Sequence, residues 1–266
     1  MRKRFDDLTI ADDFMFCKVM RNETICKQFL EIVLAGKIGK IACLSPQNTI
    51  AAGVEAKSVR LDLLVKDETG KSYDIEMQVA NEHNIPKRMR YYQAAIDIAF
   101  LDKGAHYKAL NDSYIIFVCL FDAVGKGKPL YTFENICLED KETPLQDGTK
   151  KVIINAAAFS KAEDTELKGF LEYLKTGTAN TEYTGRMETM IQAVKKNEQA
   201  RQEYRFMSAF EMDAREEGRN EGFSEGTHRK ALETAKNLIG MGLSIENIAK
   251  ATGLAREEIE KLEPDY

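Results

Sequence analysis

The sequence predicts an α/β protein, a central sheet flanked by helices, with a smaller helical appendage at its C-terminal end. Three observations carry this. Residues 60–79 alternate apolar and polar side chains in two runs around Gly70, the pattern of a β-hairpin. Ser113 to Phe121 is a near-continuous apolar run, as a strand buried on both faces reads. Helical spacing recurs before, between and after these strands, and the composition turns strongly polar from Met187.

Length and composition bound the answer. The 266 residues hold one fair-sized α/β domain plus an addition, and 44% apolar with 30% charged residues is ordinary soluble composition. No stretch approaches the roughly 18 uninterrupted apolar residues of a membrane-spanning helix, so no membrane association is expected. Met1 to Asp7 lacks the apolar core of a signal peptide. Cys17, Cys26, Cys43, Cys119 and Cys137 are widely spaced and form no Cys-x-x-Cys pair. They read as reduced thiols of a cytoplasmic protein, not as disulfides or zinc ligands. Three scattered histidines argue against a histidine-based metal site or triad. A net charge of −5 argues against a broad nucleic-acid footprint, although Lys87, Arg88 and Arg90 form a local basic cluster.

Taken in order, Phe14, Cys17 and Val19 begin a helical stripe that Ile25, Phe29, Ile32 and Val33 continue. Gly36 and Gly39 are expected to end it. Asp12 reads as a helix cap. A short strand, Ile38 to Leu44, stops before Pro46. After the hairpin, Pro86 opens a helix that runs to about Leu101. Gly125 to Pro129, with two lysines and two glycines, reads as a solvated turn rather than a phosphate-binding loop, since no helix follows. Leu130 to Cys137 and Lys151 to Asn155 are later strands, and Glu166 to Thr176 is a helix ended by Gly177.

Residues 1–186 therefore form the main domain. Residues 187–226 form a polar helical linker in which Gly218, Gly222 and Gly226 repeat every four residues. Each glycine costs a helix about 1 kcal/mol relative to alanine, so this stretch reads as a weak helix or a flexible connection. Residues 227–266 form a helical, helix-turn-helix-like end, with Ala249, Gly253 and Ile259 at the small, turn and core positions. Its second helix carries Glu257, Glu258 and Glu260. Phosphates would repel such a helix, which favours a protein contact, a homodimer through these C-terminal helices, over a DNA reader.

The hairpin concentrates the chemistry. If Asp67 and Lys71 close a loop of Glu68, Thr69 and Gly70, the register sets Asp62 opposite Glu76, with Cβ atoms roughly 4.5–5.5 Å apart. Gln78 shares their face, and Met77 packs on the other side. Two carboxylates so placed repel unless a cation or a proton lies between them, and oxygen ligands with room for water suit Mg²⁺. The alternative is an ordinary amphipathic hairpin whose charged face meets water, but Asp62, Asp74 and Glu76 make that face unusually acidic.

Asp62 followed by Glu76-Met77-Gln78 resembles the signature of the PD-(D/E)XK nuclease superfamily, with Gln in place of the usual Lys. Asp12 to Met20, Val59 to Asp62, Tyr73 to Gln78 and Pro86 to Gln93 together resemble one branch, the Rpn family of recombination-promoting nucleases, also labelled transposases. Gln at that position is tolerated there. The likeness covers nearly the whole chain and implies a restriction-endonuclease-like mixed central sheet flanked by helices. It implies a Mg²⁺-dependent endonuclease acting on double-stranded DNA, with Mn²⁺ as a substitute ion, associated with DNA recombination. Asp62, Glu76 and the Met77 backbone carbonyl would hold the metal, and Gln78 would take the lysine's place without its charge. Glu31 is the candidate for an additional acid, against an exposed helical glutamate. Arg88 or Arg90 is expected to meet the DNA backbone, against a structural ion pair, and Gln93 resembles a glutamine on the same helix of related nucleases. The alternative function is a catalytically degenerate nuclease-fold scaffold that binds DNA or a protein partner.

Overall fold

The hairpin supplies the second and third strands of a six-stranded mixed sheet in order β1-β2-β3-β4-β6-β5. The computed structural model describes residues 3–50 and 59–262. It divides into two compact units, Met1–Arg201 and Gln202–Tyr266. The first contains α1 (Asp13–Met20), α2 (Glu23–Leu34), β1 (Ile41–Ile50), β2 (Val59–Asp67), β3 (Ser72–Gln78) and α3 (Ile85–Phe100). There follow β4 (Ser113–Cys119), β5 (Leu130–Phe133), β6 (Thr149–Asn155), α4 (Thr165–Thr176) and α5 (Glu182–Lys195).

Strands β3, β4 and β6 pair in parallel, and antiparallel partners complete the sheet on both sides. This explains the unbroken apolar run of β4. As a middle strand it buries both faces, and Ile115 through Cys119 have no exposed surface. Strand β1 does not stop before Pro46 as expected. It pairs only with β2 at the sheet edge, where the amide that proline lacks is not required.

The hairpin closes as its sequence suggests. Gly70 takes φ +86°, a left-handed backbone that suits a residue without Cβ. The Asp67 carboxylate organises the loop, accepting from the Thr69 amide and hydroxyl, the Lys71 amide and the Tyr73 hydroxyl.

Helix α3 packs on one sheet face through Ile85, Met89 and Ile96, against Leu64, Ile115 and Phe117. The alternate side chains Leu63, Val65, Ile75, Ile116 and Val118 are equally buried, so the sheet is covered on both faces. Helices α1, α2, α4 and α5 share an aromatic cluster. Phe29 meets Phe16 and Phe170 edge-on at 6.3 and 5.4 Å, and Phe170 meets Tyr183 at 6.2 Å. The Tyr183 hydroxyl donates to the Ile25 carbonyl at 3.2 Å, joining residues 158 apart in the chain.

Local chemistry sets the helix ends. Asn22 caps α2 by accepting from the Ile25 amide, and Thr181 and Thr184 form a capping box at α5. Asp12 instead closes the preceding turn, accepting from the Thr9 amide and hydroxyl. Helix α2 ends on Ala35 in the left-handed region, ahead of both expected glycines. In the Gly125 loop the amides of Val124, Gly125 and Gly127 all donate to the Asp122 carboxylate. The protein's own anion thus takes the donors that a phosphate would need.

Glu198–Gly240 is one helix, α6, and the expected linker is helical backbone there. The side chains of 208–221, including the first of the repeating glycines, lie outside the described residues. In the second unit α7 (Ile245–Thr252) turns at Gly253, φ +73°, into the four-residue α8 (Arg256–Ile259). Ala235, Ile248, Leu254 and Ile259 form its core. Helix α8 is a single turn whose first residues include Glu257 and Glu258, a poor element for reading a DNA groove.

Candidate active site

The β2–β3 ladder runs from Lys66 opposite Ser72 to Leu63 opposite Ile75. One step on, Asp62 faces Glu76, and side chains take over from the ladder. The Asp62 amide donates to Glu76 Oε1 at 2.8 Å, and the Met77 amide donates to Asp62 Oδ2 at 3.1 Å. Each carboxylate thus accepts a backbone donor of the other strand, which ties the two acids together. Met77 is buried on the opposite side, in line with the two-residue period.

Helix α3 covers this acidic face, which is not an outward surface. Its Arg88 reaches down to it. Nη2 lies 3.1 Å from Glu76 Oε2 and 3.0 Å from the Tyr92 hydroxyl, and Nη1 lies 2.7 Å from Gln78 Oε1. The guanidinium also lies 5.1 Å from the Phe117 ring centre and 5.3 Å from that of Tyr92. Gln78 is held at both ends, because its Nε2 donates to the Met77 carbonyl at 2.8 Å.

Asp74 adds a third carboxylate to the face. It is fully buried, and among the described residues neither of its oxygens has a hydrogen-bond partner. Burial raises its pKa well above the ordinary value, the Asp62 charge adds to this, and Arg88 opposes it. Burial also raises Glu76, with Asp74 and Asp62 adding, against the Asp62 amide and Arg88. On the other side Cys17 of α1 lies 3.6 Å from Asp13 Oδ1 and 3.7 Å from the Asp62 carbonyl. Burial and then Asp13, Asp62 and Glu76 push its thiol up, which favours the protonated form.

Asp62, Glu76, Gln78, the Met77 carbonyl and Arg88 come together. The other expected residues do not join them. Glu31 accepts from the Ile38 amide and lines a separate surface pocket with Lys27 and Lys40. Arg90 is exposed. Gln93 is buried and bonds Ser113 and Asp97, so it braces α3 against the start of β4. Asp74, which the sequence counts only toward an acidic face, and Asp13 are further acids beside the site. Position Asp74 has a signal, two residues before Glu76 on the same face; Asp13 has only its place in the N-terminal stretch.

Among the described residues no group of three or more His, Cys, Asp or Glu side chains is set to enclose a metal ion. The donor set nevertheless fits a hard divalent cation. It consists of carboxylates and a carbonyl, all oxygen. The buried Asp74 carboxyl makes a third acid on the face of Asp62 and Glu76, against one guanidinium.

No curated relative and no solved structure matches the chain. Among the described residues no helix is long and apolar enough to cross a membrane. The family model described as PD-(D/E)XK nuclease family transposase matches residues 11–235, a span that includes both hairpin strands, α3 and most of α6. With that match, a mixed sheet flanked by helices and paired acids at the end of a hairpin, the chain belongs to the PD-(D/E)XK nuclease family transposases.

Proposed function

We propose that the protein is a metal-dependent DNA endonuclease that hydrolyses phosphodiester bonds in double-stranded DNA. The single observation that carries this is the pairing of Asp62 with Glu76 beneath α3, where Glu76 accepts from the Asp62 amide and Asp62 accepts from the Met77 amide. Asp62, Glu76 and the Met77 carbonyl would hold Mg²⁺, with Mn²⁺ as a substitute. An ion held there would supply Lewis acidity, polarising the scissile phosphate and lowering the pKa of the attacking water. Asp62 and Glu76 lie on two neighbouring strands and are tied by the Asp62 amide and the Met77 amide. Gln78, anchored on the Met77 carbonyl, presents an amide in place of the usual ammonium, and so orients without charge. Arg90, exposed on α3, is the residue offered to the DNA backbone. The association with recombination rests on the family description alone.

The test is nicking of supercoiled plasmid at low salt in Mg²⁺ or Mn²⁺, comparing wild type with Asp62→Ala and Glu76→Ala. Metal-dependent nicking by the wild type, lost in both variants while their circular dichroism is unchanged, is the expected outcome. Retained nicking in either variant overturns the assignment. A nuclease-fold scaffold without catalysis is the second reading, favoured by the uncharged Gln78. Its signature is a wild type that binds duplex DNA and cuts it with neither ion.

A further inference from the structure

We infer that Arg88 supplies, from α3, the positive charge that Gln78 cannot supply, and that it contacts the phosphate undergoing cleavage. The inference rests on the nuclease reading above and concerns the same face. Three observations converge on it. Arg88 Nη1 is 2.7 Å from Gln78 Oε1, so the guanidinium adjoins the side chain that lacks a charge. Nη2 is simultaneously 3.1 Å from Glu76 Oε2, which places the cation beside the paired acids rather than on the outer surface of the helix. The Arg88 side chain is 24% exposed while that of Glu76 is 2% exposed, so an anion arriving from solvent meets the guanidinium before it meets the carboxylate.

The mounting suits this work. The rings of Tyr92 and Phe117 lie within 5.3 Å of the guanidinium carbon, and the Tyr92 hydroxyl accepts from Nη2 at 3.0 Å. The three polar contacts use three of the five N–H donors of the side chain. Tyr92 sits one helical turn from Arg88, and Phe117 belongs to the fully buried middle of β4. A charge held on such a platform needs little reorganisation when negative charge grows on the phosphate, which is the condition for electrostatic stabilisation of a transition state. An arginine that served only to neutralise Glu76 would not need a second bond to Gln78. One that served only to anchor DNA would not be held down among buried groups.

Two substitutions together test this. Arg88→Gln is expected to lower kcat for plasmid nicking about 100-fold or more, the usual effect of removing one preorganised donor. Its KM and its affinity for uncut duplex in chelator should change little. In the Arg88→Gln background, Gln78→Lys returns a charge from the motif position and is expected to recover at least about a tenfold share of that loss. Arg88→Lys keeps charge without the fork and should stay within about tenfold of wild type; it decides the matter if Arg88→Gln does not fold. An unchanged kcat in folded Arg88→Gln overturns the inference while the nuclease reading stands. So does a loss confined to KM, with a salt slope lowered by about one, the mark of a phosphate anchor. Failure of Gln78→Lys to recover activity also overturns it, since a purely structural strut would give that result. A wild type that nicks nothing overturns both readings at once.

Discussion

Asp74→Asn is expected to stabilise the protein, against the usual direction of a buried substitution. Asp74 has no exposed surface, both its oxygens lack hydrogen-bond partners among the described residues, and Asp62 and Glu76 lie on the same face. An uncompensated buried polar group costs about 1–3 kcal/mol. Asparagine keeps the shape, removes the charge, and brings N–H donors to a neighbourhood of carboxylates. A gain of about 2 kcal/mol corresponds to a rise in Tm of about 4–8 °C for a unit of this size. Thermal unfolding by circular dichroism, with EDTA at pH 8, measures it.

The pH dependence has a definite sign. Asp74 and Glu76 have native pKa values above their unfolded ones, so the folded chain binds more protons between those limits. Wild type therefore gains stability relative to Asp74→Asn as pH falls from above the raised values towards the ordinary carboxylate range. Mg²⁺ should narrow the gap as well, because a cation held by Asp62 and Glu76 offsets the same charge. An Asp74→Asn protein that is equal to or less stable than wild type at pH 8 refutes the argument that this face is under-compensated.

Two further predictions concern the frame around the site. Phe170→Ala removes a fully buried ring from between Phe29 and Tyr183 and should cost about 3–5 kcal/mol in urea unfolding, with a smaller loss refuting the central place given to that cluster. Gly169→Ala puts a Cβ against the Thr181 methyl at the start of α5, so it should destabilise by about 1–3 kcal/mol despite the better helix propensity of alanine.

Much of the hairpin was legible because a strand's period of two leaves few registers. Once Asp67 and Lys71 close the loop, Asp62 must lie beside Glu76, one step past the paired ladder, and the Asp62 amide does donate to the Glu76 carboxylate. What covers that face was not legible. Alternation says which side chains share a side, but only the tertiary placement of Ile85, Met89 and Ile96 shows that α3 lies over it. Asp74 for this reason looks like a surface acid in sequence and is wholly buried in the fold. Gln93 misled for a related reason. It lies on the right helix, but more than one turn beyond Arg88, where the neighbour is Ser113. Pro46 looked like a strand terminator because its tolerance depends on β1 being an edge, a property of the sheet and not of the segment.

The bond from Tyr183 to Ile25 has a consequence for how the chain is made. Helices α1 and α2 emerge early from a ribosome, yet the aromatic partners that cover Phe29 belong to α4 and α5. At roughly 5–20 residues per second, the 158 residues between these partners take about 8–30 s to synthesise. Through that interval Phe16, Phe29 and Leu30 have no final resting place. The nascent chain is most exposed to aggregation and to chaperone capture before residue 183 appears, and a truncation that removes α5 should leave it there permanently.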